Sequence, residues 1–226
     1  MIVTGGGRAV PGRRARTRSR AVRIVIAPAA VGLLAAAAVT ASPAVASAGS
    51  TLKVVYPVHG STHLKAPNTN VSLGPGKLAV TLNLSSGALT ASLSLPAATV
   101  SISPAPLIKI TATTEFIEVG ATTGKVNVNT GAVTTTSKIT LKITSLSVDG
   151  VPQFVGNSCQ SATPAVIKLT SQKGFNPLLG GKLAGTYTVP PFANCGFFGL
   201  LTPLINPLIA GPGNTITFIL GKAKAA

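Results

Sequence analysis

Between positions 77 and 95 apolar and polar residues alternate almost without exception. Leu78, Val80, Leu82 and Leu84 take every second place, with Thr81 and Asn83 between them. After Ser85-Ser86-Gly87, Leu89, Ala91, Leu93 and Leu95 repeat the pattern, with Thr90, Ser92 and Ser94 between. Successive side chains of a strand point to opposite faces, so each run has one apolar face. Two such runs around a short Gly-containing turn make a β-hairpin. The rest of the chain past position 48 must be compatible with that hairpin.

Its composition is compatible. Thr, Ser, Val, Leu, Ile and Gly dominate, while Glu and Arg are almost missing, a mix that favours strands over helices. Strands are expected at 51–58, 98–103, 107–119, 126–129, 133–143, 151–155, 165–169, 182–189 and 215–220, with a Gly/Pro/Asn-rich loop at 59–76. In 107–119 Ile108, Ile110 and Ala112 share a face, but Ile117 and Val119 have the other parity, so a bulge near 113–115 is expected. Leu146 and Val148 shift parity against Ile139, Leu141 and Ile143, and a second bulge is expected near 144–145. Thr123-Gly124 and Thr130-Gly131 echo Ser86-Gly87 as turn-to-strand devices, at spacings too uneven for a solenoid. About ten short strands, uneven in length and broken by prolines, point to an all-β, two-sheet antiparallel β-sandwich.

Cys159 and Cys195 are the only two cysteines. Between them lie a strand-like run, a Gly/Pro-rich loop and a second strand-like run. The alternative to pairing is a pair of free or metal-bound thiols, but no other cysteine is present and both histidines lie far upstream. A disulfide here would close a long loop and stabilise by roughly 4 kcal/mol on the chain-entropy model. It also implies an oxidising compartment.

The first 48 residues have the order of a signal peptide. Seven arginines from Arg8 to Arg23 precede an apolar run from 24 to 41, and then comes SPAVASAG, with cleavage expected after Ala46 or Ala48. The remainder, 49–226, is expected to be a single domain, secreted or cell-wall associated. Removing the leader changes the charge argument. The whole chain carries a formal net charge of +16, but past position 48 twelve lysines face three acids, a net charge of +9, with no arginine. Nucleic-acid recognition leans on arginine forks and stacking aromatics, and the chain has no tryptophan. The scattered lysines suit solubility, strand-edge protection, or weak attraction to anionic envelope polymers or lipids.

Motifs for reaction chemistry are sparse. His59 and His63 are candidate metal ligands or a hydrolase base, but the Gly and Pro around them argue for a solvated loop and no third ligand is near. The acids are Glu115, Glu118 and Asp149 alone, and no G-x-S-x-G elbow occurs. Phosphate-loop, dinucleotide and calcium-loop patterns are missing, so no cofactor is expected. The run 196–210 (GFFGLLTPLINPLIA) has two readings. Its apolar residues plug one end of the fold, or Phe197, Phe198, Leu201, Leu204, Ile205 and Leu208 form a candidate apolar ligand surface. Pro203 and Pro207 limit the run to a short helical turn at most.

The segment LAGTYTVPPFANCG (183–196), the following GPGNT (211–215) and the Ala/Arg-rich leader resemble those of uncharacterised exported proteins of actinobacteria. The resemblance implies an envelope or extracellular location and carries no catalytic residues. The reading is a secreted or cell-envelope β-protein without enzymatic activity, with a structural, adhesive or weak envelope-binding role. The alternatives are a carrier of a lipid or other hydrophobic ligand, and a hydrolase using His59 or His63. A structural protein should have a filled interior, whereas a carrier should hold an apolar pocket above the ~300 Å³ typical of ligand sites.

Overall fold

The structure is a computed structural model that describes residues 50–226. The expected leader and its cleavage sites lie outside the described residues. The strands in chain order are β1 (Thr51–Leu64), β2 (Thr69–Asn83), β3 (Ala88–Ser94), β4 (Ala98–Ala105), β5 (Ile108–Glu118), β6 (Thr122–Val126) and β7 (Val133–Val148). They continue with β8 (Val151–Gln153), β9 (Gln160–Ser161), β10 (Ala165–Ser171), β11 (Gly181–Val189) and β12 (Phe192–Ala193). A helix, α1 (Thr202–Ile209), precedes β13 (Gly211–Leu220) and β14 (Lys224–Ala225).

The chain is all-β, but it is not a two-sheet sandwich. Eight antiparallel strands run β10-β11-β13-β1-β2-β3-β6-β7, and β7 pairs back onto β10, closing a barrel. Alternation says which face of a strand is apolar, and it is the same for a sandwich and a barrel. The difference lies in which edges pair. The deciding strand is β7. Its first half pairs with β6 on one edge and β10 on the other, and its second half pairs with β5, β8 and β9. The β4–β5 hairpin thereby lies outside the closed ring and extends one end of it.

Between β10 and β11 only Thr170↔Ala184 and Ser171↔Leu183 are paired. Beside Gly185 the two strands run so close that an added Cβ would run into the Lys168 carbonyl oxygen. A glycine at 185 thus permits this close approach of β11 to β10.

The 77–95 hairpin forms as expected, with Leu78↔Leu93, Val80↔Ala91 and Leu82↔Leu89 as partners, although Leu84 ends up exposed. The strands at 165–169, 182–189 and 215–220 also stand, with Ile167, Leu183, Tyr187, Ile216 and Phe218 buried. Of the two expected bulges one is present. Thr113 pairs with Ser145 and Thr114 with Ile143, so Thr144 is the extra residue and Leu146 returns to the core. β5 keeps its alternation throughout, leaving Ile117 and Val119 exposed.

The expected loop at 59–76 is mostly strand. β1 and β2 run on to a short turn at 65–68, with a register shift between Val58 and Gly60. The Gly and Pro residues that read as a loop serve that shift, and Gly60 lets β13 pass close, since a Cβ there would meet the Thr217 carbonyl oxygen. The run 202–209 is a two-turn helix rather than a single turn. Pro203 falls in the first turn, where no N–H is needed, and Pro207 forfeits only a bond back to that same turn.

Candidate functional site

The barrel interior is not filled at the end capped by α1. An apolar chamber of about 230 Å³ lies there. Each wall strand delivers its inward positions by simple alternation: Leu64 from β1, Val71 from β2, Val100 and Ile102 from β4, Ile110, Ala112, Thr114 and Phe116 from β5. β7 adds Leu141, Ile143, Leu146 and Val148, the last two brought round by the Thr144 bulge. A second apolar chamber of about 70 Å³ continues down the barrel beneath the 77–95 hairpin. Thr62, Phe116, Leu141 and Tyr187 line both.

The polar feature where the chambers meet is a pair of hydroxyls. Thr62 Oγ1 donates to the Thr215 carbonyl at 2.8 Å. A threonine hydroxyl has one proton, so at the 2.8 Å contact between Thr62 and Tyr187 the phenol must donate. The Tyr187 oxygen keeps its lone pairs for another donor. Burial pushes the Tyr187 phenol above its usual range, so it is neutral at physiological pH.

The cap is held by short-range bonds from its own sequence. Cys159 and Cys195 form the expected disulfide, with Cα atoms 4.2 Å apart and both residues fully buried. Thr202 Oγ1 accepts from the Cys195 N–H at 3.1 Å. The Asn206 amide accepts from the Phe192 N–H at 2.7 Å and donates to the Phe192 carbonyl at 3.1 Å. The disulfide, β12 and α1 are thus one latch over the chamber.

Of the six apolar residues singled out from the sequence, Leu201, Leu204, Ile205 and Leu208 line the chamber. Phe197 and Phe198 do not. They project into solvent from a 3₁₀ turn before the helix. Leu78, Leu93 and Leu95 of the hairpin line the second chamber. The walls from β4 and β5 were missed. Their alternation is visible in the sequence, but nothing there says that this hairpin closes over the barrel end.

His59 and His63 lie on β1, not in a loop, on the face opposite to Val58, Thr62 and Leu64. His63 Nδ1 lies 3.1 Å from Asn70 Oδ1. Glu118 accepts from Ser92, Thr122 and the Leu93 N–H, and Asp149 accepts from the Lys109 N–H. Among the described residues no cluster of three or more His, Cys, Asp or Glu is placed to hold a metal ion. No helix of the described residues is long and apolar enough to cross a membrane.

Compared with protein-family models, with curated proteins and with solved structures, the chain matches none.

Proposed function

We propose that this chain is an exported, non-enzymatic binding protein that carries or sequesters a small apolar molecule inside its barrel. The observation that carries this reading is the apolar chamber of about 230 Å³ under α1, lined from eight strands and a latched helix. A void of this size in a core is costly to leave, because its lining loses packing contacts. An apolar cavity of roughly 150 Å³ is dry and takes up benzene. The chamber therefore suits a small ring or a short acyl chain, and the free lone pairs of Tyr187 favour a ligand with a single hydrogen-bond donor.

One observation favours the structural or adhesive reading instead: the chamber is smaller than the ~300 Å³ at which ligand pockets usually begin. Native mass spectrometry separates the two. The carrier reading expects a small apolar adduct on the purified protein, or saturable uptake of the fluorescent amine 1-aminoanthracene. Protein that shows neither belongs to the structural class.

A further inference from the structure

The chamber end of the barrel carries an apolar rim that the carrier reading does not require. Leu107 in the β4–β5 turn is 98 % exposed and Phe198 is 92 % exposed. Phe154, Phe197, Val151 and Leu204 are also exposed. They form two groups, each held together by hydrogen bonds or ring contacts, and the short β8 strand from Val151 leads from one to Phe154 in the other. The Asp149 side chain accepts from the Lys109 N–H at 2.7 Å and the Asp149 N–H donates to the Lys109 carbonyl at 2.8 Å, tying the turn holding Leu107 to the turn before Val151. The Phe154 and Phe197 rings are 6.4 Å apart and the Phe197 and Phe198 rings 4.5 Å apart. Leu204 belongs to both surfaces, since it lines the chamber and is mostly exposed.

Two of the rim residues are also strained. Leu107 has φ +71° and Phe198 has φ +49°. Bulky L-residues avoid this left-handed region, which carries a steric cost that glycine escapes. Neither side chain recovers that cost by burial. Large apolar side chains held in a strained backbone and aimed into water mark a contact surface.

The charge of the domain selects the partner. Twelve lysines face three acids in 49–226, a net charge of +9. Lys65 and Lys109 are exposed and directly follow or precede the chamber-lining residues Leu64 and Ile110. Aromatic and Leu side chains flanked by lysines match an anionic lipid surface, with the apolar tips below the headgroups and the ammonium groups among them.

We propose that this rim docks the barrel, chamber end down, on an anionic lipid layer. The docking surface stands without the carrier reading. Together they make the chamber a compartment that loads directly from the lipid phase.

The test is flotation of the purified protein with vesicles of equal parts phosphatidylcholine and phosphatidylglycerol, and with phosphatidylcholine alone. Wild type should float with the mixed vesicles, and added salt should weaken it. The double variant Leu107→Asn/Phe198→Asn should lose about tenfold or more in partitioning. Its melting temperature should not fall, because asparagine tolerates the left-handed conformation. Lys65→Gln/Lys109→Gln should weaken binding to the mixed vesicles and leave phosphatidylcholine unaffected. Wild type that stays in the aqueous fraction, or an Asn variant that floats like wild type, overturns the proposal. A dimer that the Asn substitutions dissociate, seen by sedimentation without lipid, would assign the rim to a second copy and also overturn it. Failure of 1-aminoanthracene uptake with flotation intact removes the carrier reading alone.

Discussion

Ala112→Leu decides whether the chamber is a void or a packed core. Ala112 lies on β5, is buried, faces the chamber, and is flanked across the sheet by Val100 and Leu146. Leucine adds three carbon atoms at that point. At roughly 0.8 kcal/mol per buried methylene the gain has a ceiling of about 2.4 kcal/mol. Filling all of the 230 Å³ at about 24 cal/mol per Å³ would be worth roughly 5.5 kcal/mol, so three carbons stay well inside what the space allows. Imperfect contact with the far wall reduces the expectation to about 1–2 kcal/mol of stabilisation. For a domain of this size that is a rise of about 2–8 °C in Tm. In a filled core the same substitution would cost about 1–3 kcal/mol through overpacking, so the sign itself discriminates. The assay is thermal unfolding of ligand-stripped protein, with 1-aminoanthracene titration alongside. Stabilisation with at least a tenfold loss of probe affinity is expected. A drop in Tm would refute the void, and unchanged probe affinity would place the probe elsewhere.

Two further outcomes follow from the latch and the buried phenol. Removing the disulfide with Cys159→Ser/Cys195→Ser should cost about 4 kcal/mol, or roughly 10 °C in Tm, because the bridged residues are 36 apart. Both cysteines are fully buried, so wild type should resist reductant while folded and show the lower Tm only after reduction in denaturant. Tyr187 and Tyr56 both have phenols raised by burial, so the folded state holds their protons more tightly than the unfolded one. Their contribution is fully present below about pH 10, the unfolded value, and is lost as pH rises through the folded values. Tyr187→Phe should flatten that alkaline decline in a denaturation series against pH. At neutral pH it should cost about 1 kcal/mol, through loss of the hydroxyl that donates to Thr62.

Much of the fold is legible in residue order because a strand has a period of two. The 77–95 hairpin, the inward set Ala165, Ile167 and Leu169, and the parity change at Thr144 can all be read directly from it. The reading fails where one residue type serves two ends. Gly60, Gly74 and Pro75 look like loop punctuation, yet they mark a register shift within paired strands. Ile117 and Val119 look inward by hydrophobicity, yet β5 continues unbroken and leaves them outside. The candidate site was half legible. Leu201, Leu204, Ile205 and Leu208 stand out in a run too apolar for an ordinary turn. The walls from β4 and β5 did not, because lining a shared chamber depends on neighbours that are distant in sequence.

Side-chain alternation, the scarcity of helix formers and two cysteines were enough to determine a sheet protein with one cross-link. Those are local properties, set by backbone geometry and composition. Only the tertiary structure decided that β7 pairs on both edges along its length and returns to β10, making a barrel. It alone decided that α1 leaves a space beneath it. Strand pairing and cavity volume arise from how separate faces meet in space, and each face looks the same in the chain whichever partner it meets.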